Sequence, residues 1–181
     1  MNEGLIPRRY AKALYKVAVE KHADERVYHL MKALSRSFEA EPRLSGLVAN
    51  PFVSEADKTK LIMTASGASA GDSVMADFVA LLERNKRIAL APAMARAYVA
   101  IYRQAHRIYT VKVTTAAEPD TATMDRIKKL ITDHLDGGTM EFSHETDPDL
   151  IGGFTVAIDN ERLDASLRNE LERMRLKLIS K

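Results

Sequence analysis

Residues 150–159 read LIGGFTVAID, and the adjacent glycines Gly152 and Gly153 beside an apolar run are the residue types of a phosphate-cradling loop. That chemistry requires an order: the glycines follow a strand and open a helix, so that free backbone N–H groups and the helix dipole face the anion. Here they precede the strand-like run Phe154, Val156, Ile158, and no Gly-Lys-Ser or Gly-Lys-Thr follows. The pair reads instead as a tight turn into a strand, because glycine tolerates positive φ. Glu145, Asp147 and Asp149, around Pro148, carry the carboxylates for cation binding or, with His144, for hydrolysis. They lack EF-hand spacing and read as a solvated turn. The histidines His22, His29, His106, His134 and His144 are scattered, without an HExxH pair. Only His22 and His29 suit one helix face, and a zinc site would need further ligands. No GxSxG or SxxK nucleophile motif occurs. No catalytic residue, metal or cofactor is expected.

The elements that would position any such site fall into two blocks. Residues 1–105 read as helical. An opening helix starts at Pro7, whose missing N–H is no loss in a first turn. Ile6, Tyr10, Leu14 and Val17 form one apolar stripe and Ala11, Tyr15 and Ala18 a second beside it. This arc is wider than one neighbour requires: either two bundle helices pack on it, or it forms part of a groove for a partner helix. A second helix, about Asp24 to Glu39, turns Val27, Leu30, Met31, Leu34 and Phe38 inward, and Leu44, Leu47 and Val48 fit a short third. Ser54 with Asp57 resembles a capping arrangement opening a fourth, through Leu61 and Ile62. Past the small, polar loop SGASAGDS, Asp72 or Ser73 caps a fifth carrying Val74, Met75, Phe78, Leu81 and Leu82. The sixth starts near Pro92 and presents Met94, Tyr98, Ile101, Ala105 and Ile108 inward.

After Arg107 the period changes from 3.6 to 2. Tyr109, Val111 and Val113 alternate with polar residues as in a half-buried strand. Met124, Ile127, Ile131 and Leu135 mark a helix ended by Gly137-Gly138. Met140, Phe142 and His144 predict a second strand, Phe154 to Ile158 a third, and Arg162 to Asp164 a short fourth after the turn residues Asp159-Asn160. Leu167, Leu171, Met174 and Leu178 form the apolar face of a last helix. The expected class is α+β: a six-helix bundle over 1–105 followed by a small α/β domain over 106–181.

Composition narrows the function classes. The chain of 181 residues is 46% hydrophobic and 29% charged, the profile of a folding protein. Zero cysteine excludes disulfides, thiolate metal sites and a cysteine nucleophile. No run approaches the roughly 18 apolar residues of a membrane span, and MNEGLIPRRY has no signal-peptide core; a cytoplasmic protein, without direct membrane insertion, is expected. Residues 1–105 carry 16 Lys+Arg against 11 Asp+Glu, a net of +5, whereas residues 106–181 carry 11 against 14, a net of −3. The split favours two domains with different partners, and it is too mild for nucleic-acid binding. Arg8, Arg9, Lys12 and Lys16 share an arc of the first helix, diluted by Glu20 and nearby acids and read as a solvated face.

Four segments in this order, RRYAKALYKVA, LVANPFVSEADKTKLI, DFVALLERNKRI and DPDLIGGFTVAIDNERLDASLRNELERM, resemble the delta subunit of F-type ATP synthases, the family of the mitochondrial oligomycin-sensitivity-conferring protein. Ala165 departs from the pattern, where glycine is common. The resemblance implies a non-catalytic subunit of the peripheral stalk, the stator that keeps the α/β head from rotating with the central shaft. It implies that the N-terminal domain grips the N-terminal segment of an α subunit in a groove of the first and fifth helices. By position that groove falls on Tyr10, Ala11, Leu14, Tyr15 and Ala18 with Phe78, Val79 and Leu82. It further implies that residues 106–181 engage the C-terminal end of the b subunit, at the cytoplasmic face of the bacterial cell (inner) membrane. A free-standing helical adaptor or nucleic-acid-binding module, and a small hydrolase using Asp147, Asp149 and His144, are the alternatives; no motif stands behind either.

Overall fold

The computed structural model describes residues 4–69, 71–135, 137–159 and 161–179, with the side chain of Leu178 outside the described residues. The chain divides into two compact units, Met1–Ala105 and His106–Lys181. The described residues hold eight α-helices and one four-stranded mixed sheet, an α+β fold.

In the first unit α1 (Leu5–Glu20) begins two residues before Pro7, which still lies in the first turn, where its missing N–H costs no bond. Its buried residues are Pro7, Ala11, Leu14 and Ala18, spaced i, i+4, i+7 and i+11. The buried set draws on both apolar stripes, Leu14 from one and Ala11 and Ala18 from the other, and the alanines let neighbouring backbones approach. α2 (Asp24–Ala40) buries Val27, Leu30, Met31, Leu34 and Phe38, and α3 (Arg43–Ala49) buries only Val48, leaving Leu47 exposed. α4 (Glu55–Ser66) is capped by Ser54, whose hydroxyl accepts the Asp57 N–H at 3.1 Å, and stops at Gly67 in the left-handed conformation. α4 packs against α2 and against α5 (Ser73–Arg84), which buries Val74, Met75, Phe78, Val79 and Leu82. A 3-10 turn (Ile88–Leu90) leads into α6 (Ala91–His106). Its inward face is Ala91, Met94, Ala95, Tyr98, Val99 and Tyr102. Ile101 is half-buried, Ala105 is exposed and Ile108 already belongs to the next strand, so the inward stripe ends one turn earlier than its spacing predicted.

The second unit is built on β1 (Ile108–Thr115), β2 (Thr139–Thr146), β3 (Gly153–Ile158) and β4 (Glu161–Ser166), in the order β2-β1-β3-β4. β1 pairs in parallel with β2 and antiparallel with β3, and β3 pairs antiparallel with β4. The parallel pair needs a crossover, supplied by α7 (Thr121–His134). Asp120 caps α7 by accepting the Thr123 N–H at 3.1 Å. Ile127, Ile131 and Leu135 bury against Val111, Val113 and Val156 to form the core. α8 (Leu167–Ile179) closes the chain and buries none of its described side chains.

Gly152 and Gly153 open β3, as the order of elements requires. Gly153 has φ +77, and a Cβ there would lie 2.3 Å from the Ala165 carbonyl; one on Gly152 would lie 2.5 Å from Leu167. The pair thus lets β3 close onto β4 and the start of α8, and the Leu167 N–H donates to the Gly152 carbonyl at 2.9 Å. Ala165 sits in extended β4 opposite Phe154, where a side chain is accommodated. Asp159 ties the far end of β3 to β1: its N–H donates to Thr110 O and its carboxylate accepts the Thr110 N–H, both at 2.9 Å. Asn160 lies outside the described residues.

Candidate functional site

α1 and α5 meet at both ends through polar side chains. Lys21 Nζ lies 3.4 Å from Asp77, and at the other end the Tyr10 hydroxyl accepts from Arg87 Nη1 at 2.9 Å and Asn85 Nδ2 at 3.2 Å. The two helices therefore run antiparallel. Between these ends lies an apolar groove of about 170 Å³, lined by Tyr10, Ala13, Leu14 and Val17 of α1 and by Val74, Asp77, Phe78 and Leu81 of α5. Leu14, Val74 and Phe78 are buried and form its floor. Val17 and Leu81, 41% and 43% exposed, form its walls. Leucine and valine at this exposure, facing each other across a groove, are apolar surface that the chain's own fold leaves uncovered.

The eight residues expected for the groove divide into three sets. Tyr10, Leu14 and Phe78 line it. Ala11, Ala18, Val79 and Leu82 are almost fully buried beneath it and support the floor. Tyr15 turns to the opposite side, packing edge-on against Tyr98 and Tyr102 with ring centroids 6.0 and 6.4 Å away. Tyr102 in turn stacks on Tyr28 at 4.2 Å, and the Tyr98 hydroxyl donates to the Asp24 carbonyl, so this aromatic cluster is core. Burial pushes the Tyr98 phenol well above its ordinary pKa. Ala13, Val74, Asp77 and Leu81 were not assigned to the groove from the sequence, and Val17 entered only as part of the apolar arc of the first helix. Ala13 lies three residues from Tyr10, and Val74 and Leu81 lie four and three from Phe78, so helical spacing was their signal; Asp77, next to Phe78, had none.

Electrostatics hold the groove's second wall in place. The Asp72 carboxylate accepts two bonds from Arg26 of α2, at 2.8 and 2.9 Å, and one from the Ser69 N–H at 2.7 Å. It occupies the N-cap position of α5 but caps nothing. Instead it ties the start of α5 to α2, and the Arg26 guanidinium holds its carboxyl well below the usual carboxylate range.

The other candidate residues serve local structure. Glu145 pairs with Lys112, Asp147 accepts the Asp149 N–H at 3.0 Å within a 3-10 turn, and His144 Nε2 lies 2.8 Å from Thr115 Oγ1. Since that hydroxyl donates its proton to the Ala117 carbonyl, it is the imidazole that donates to Thr115. Among the described residues no three of His, Asp or Glu converge on a point that could hold a metal. The second unit carries a cavity of about 420 Å³ between α7 and the β3–β4 hairpin, floored by Ile127, Ile131 and Val156 and edged by Leu130 and Leu163.

Of the two compact units, one carries an open helix-lined groove and the other an uncovered amphipathic helix. Residues 6–178 match the family described as ATP synthase delta (OSCP) subunit. The chain is 39% identical over 182 residues to "ATP synthase subunit delta" of Parabacteroides distasonis, covering 99% of this chain and 98% of that one. It is 26% identical over 167 residues to "ATP synthase subunit 5, mitochondrial" of Yarrowia lipolytica, covering 91% and 78%. A chain in the cryo-EM structure of the Toxoplasma gondii mitochondrial ATP synthase hexamer shares the fold, with a TM-score of 0.71 over 99% of this chain and 98% of that one at 22% identity. The chain belongs to the ATP synthase delta (OSCP) family, the non-catalytic peripheral-stalk subunits of the F-type ATP synthase. No described helix is long and apolar enough to cross a membrane.

Proposed function

We propose that this chain is a two-ended stator joint at the cytoplasmic face of a bacterial cell membrane, linking the α/β head to the b subunit. In this reading α1–α6 act as one helical bundle, and the α1–α5 groove takes the N-terminal segment of an α subunit as a helix. Residues 106–181 hold the C-terminal end of the b subunit. The observation that carries the reading is the groove itself, whose Val17 and Leu81 walls stand open above a buried floor. An amphipathic helix with apolar anchors three and four residues apart fills such a groove. The uncovered stripe of α8 supports a second, separate surface.

The joint acts mechanically. Torque on the head must be resisted without a covalent tie, and desolvated apolar anchors supply the grip, each costing about 2 kcal/mol or more when truncated. The test is a calorimetric titration of the full-length protein with a synthetic peptide copying the N-terminal segment of the α subunit. Leu81→Asp, at an exposed position, should leave folding intact and weaken the peptide by about 30-fold or more. Unchanged affinity in that variant would remove the groove as the site.

A further inference from the structure

We propose that Met174 is a reversible oxidation site, and that its sulfoxide shuts off the uncovered face of α8 while leaving the chain folded. This rests on the reading that residues 106–181 hold the b subunit through that face, and adds how the hold is regulated. The chain contains no cysteine and no tryptophan, so the methionine thioethers are the side chains that a peroxide attacks first. Its eight methionines are not equally open to attack. Met31, Met75 and Met94 are enclosed in the core of the first unit, at 0% exposure. Met63, Met124 and Met140 are half-buried, and Met140 packs on the core of the second unit. Met1 lies outside the described residues. Met174, 52% exposed, is the one exposed methionine among the described residues.

Position gives the reaction a consequence. Met174 follows Leu171 by three residues and Leu167 by seven, so the three share one face of α8, with the two leucines 57% and 48% exposed. α8 buries none of its described side chains, so no core contact is lost when this sulfur changes. The thioether sulfur gives an electron pair to one oxygen of hydrogen peroxide. The S–O bond forms as the O–O bond breaks, and the other oxygen leaves as water with both protons. Sulfur is oxidised by two electrons and the peroxide reduced by two. A hydrogen-bond acceptor then stands within the apolar stripe, and a partner that covers it without donating to it is held more weakly. Two thiols of a methionine sulfoxide reductase reverse the step, removing the oxygen as water and closing to a disulfide.

The test treats the full-length protein with hydrogen peroxide and locates sulfoxide by mass spectrometry of its peptides. Sulfoxide should form at Met174 about tenfold faster, or more, than at Met31, Met75 or Met94; equal rates overturn the site. The chain oxidised at Met174 should keep its melting temperature and bind a fragment from the C-terminal end of the b subunit about fivefold more weakly. Methionine sulfoxide reductases A and B should restore the affinity. Met174→Gln, polar and of similar length, should match the oxidised chain, and in Met174→Leu the affinities before and after peroxide should be equal. Undiminished affinity of the oxidised native chain overturns the switch and leaves the b-subunit reading standing. A fall in melting temperature on oxidation also overturns the switch, because the sulfoxide would then act through the fold. No saturable binding of the fragment by the untreated chain overturns the b-subunit reading and the switch with it.

Discussion

The two units each leave one apolar helix face uncovered, and they do so with different shapes. In the first, Val17 and Leu81 stand over a floor of buried side chains, so the uncovered surface is concave and bounded on both sides. In the second, Leu167, Leu171 and Met174 share one face of α8 and are between 48% and 57% exposed, on a helix that buries none of its described side chains. A concave groove receives a helix and surrounds it. A bare amphipathic helix has to be received or paired along its length, in the manner of a coiled coil. The difference matches two tasks of the proposed joint, gripping a short segment on one side and running along a stalk on the other.

The largest effect that sharpens this comparison comes from separating the units. A chain ending at residue 105 should remain folded, because α1–α6 bury their inward stripes within the first unit. Membrane vesicles carrying only that chain should lose proton-driven ATP synthesis, while the detached head keeps hydrolysing ATP; normal synthesis would break the division of labour. Next in size, Met174→Asp should weaken binding to a fragment from the C-terminal end of the b subunit about tenfold or more. The same variant should leave binding of the α-derived peptide unaffected, as two surface-binding assays would read. Tyr15→Asp should act the other way round from a groove variant. It places a carboxylate against Tyr98 and Tyr102 in the core, so its main effect is a fall in melting temperature of several degrees by calorimetry.

The smallest effect is electrostatic. Asp72 has a folded-state pKa depressed by Arg26, so the stability it adds is fully present above its unfolded value of about 3.9 and is lost as pH falls through the lower folded value. The stability gap between the native chain and Asp72→Asn should therefore be constant from pH 7 to about pH 5 and shrink below pH 4. A gap that widened on acidification would contradict the Arg26–Asp72 tie.

Much of this arrangement was legible in the residues. Val111 and Val113 alternating with Lys112 and Thr114 specify a half-covered strand, and Ser54 with Asp57 specifies a helix start; both signals are read within a few neighbouring positions. The glycine pair was legible for the same reason, since its order relative to Phe154, Val156 and Ile158 excludes a phosphate loop. What was not legible is which members of the two apolar stripes face inward. The structure buries Ala11 and Ala18 of one stripe together with Leu14 of the other and leaves Val17 exposed, a choice that depends on neighbours remote in sequence. The α5 half of the groove was silent for a related reason: Leu81 is as apolar as Leu82, and only the packing of α5 shows that one is open and the other buried. The stripe of α8 reads as any core-facing helix does, and its exposure is a tertiary fact.

The most direct measurement of the central claim is hydrogen–deuterium exchange on the full-length protein, with and without the peptide copying the N-terminal segment of the α subunit. The account predicts slowed exchange in residues 10–17 of α1 and 74–81 of α5, with residues 106–181 unchanged. Protection confined to α8 or the β3–β4 hairpin, with α1 and α5 unaffected by saturating peptide, would contradict it.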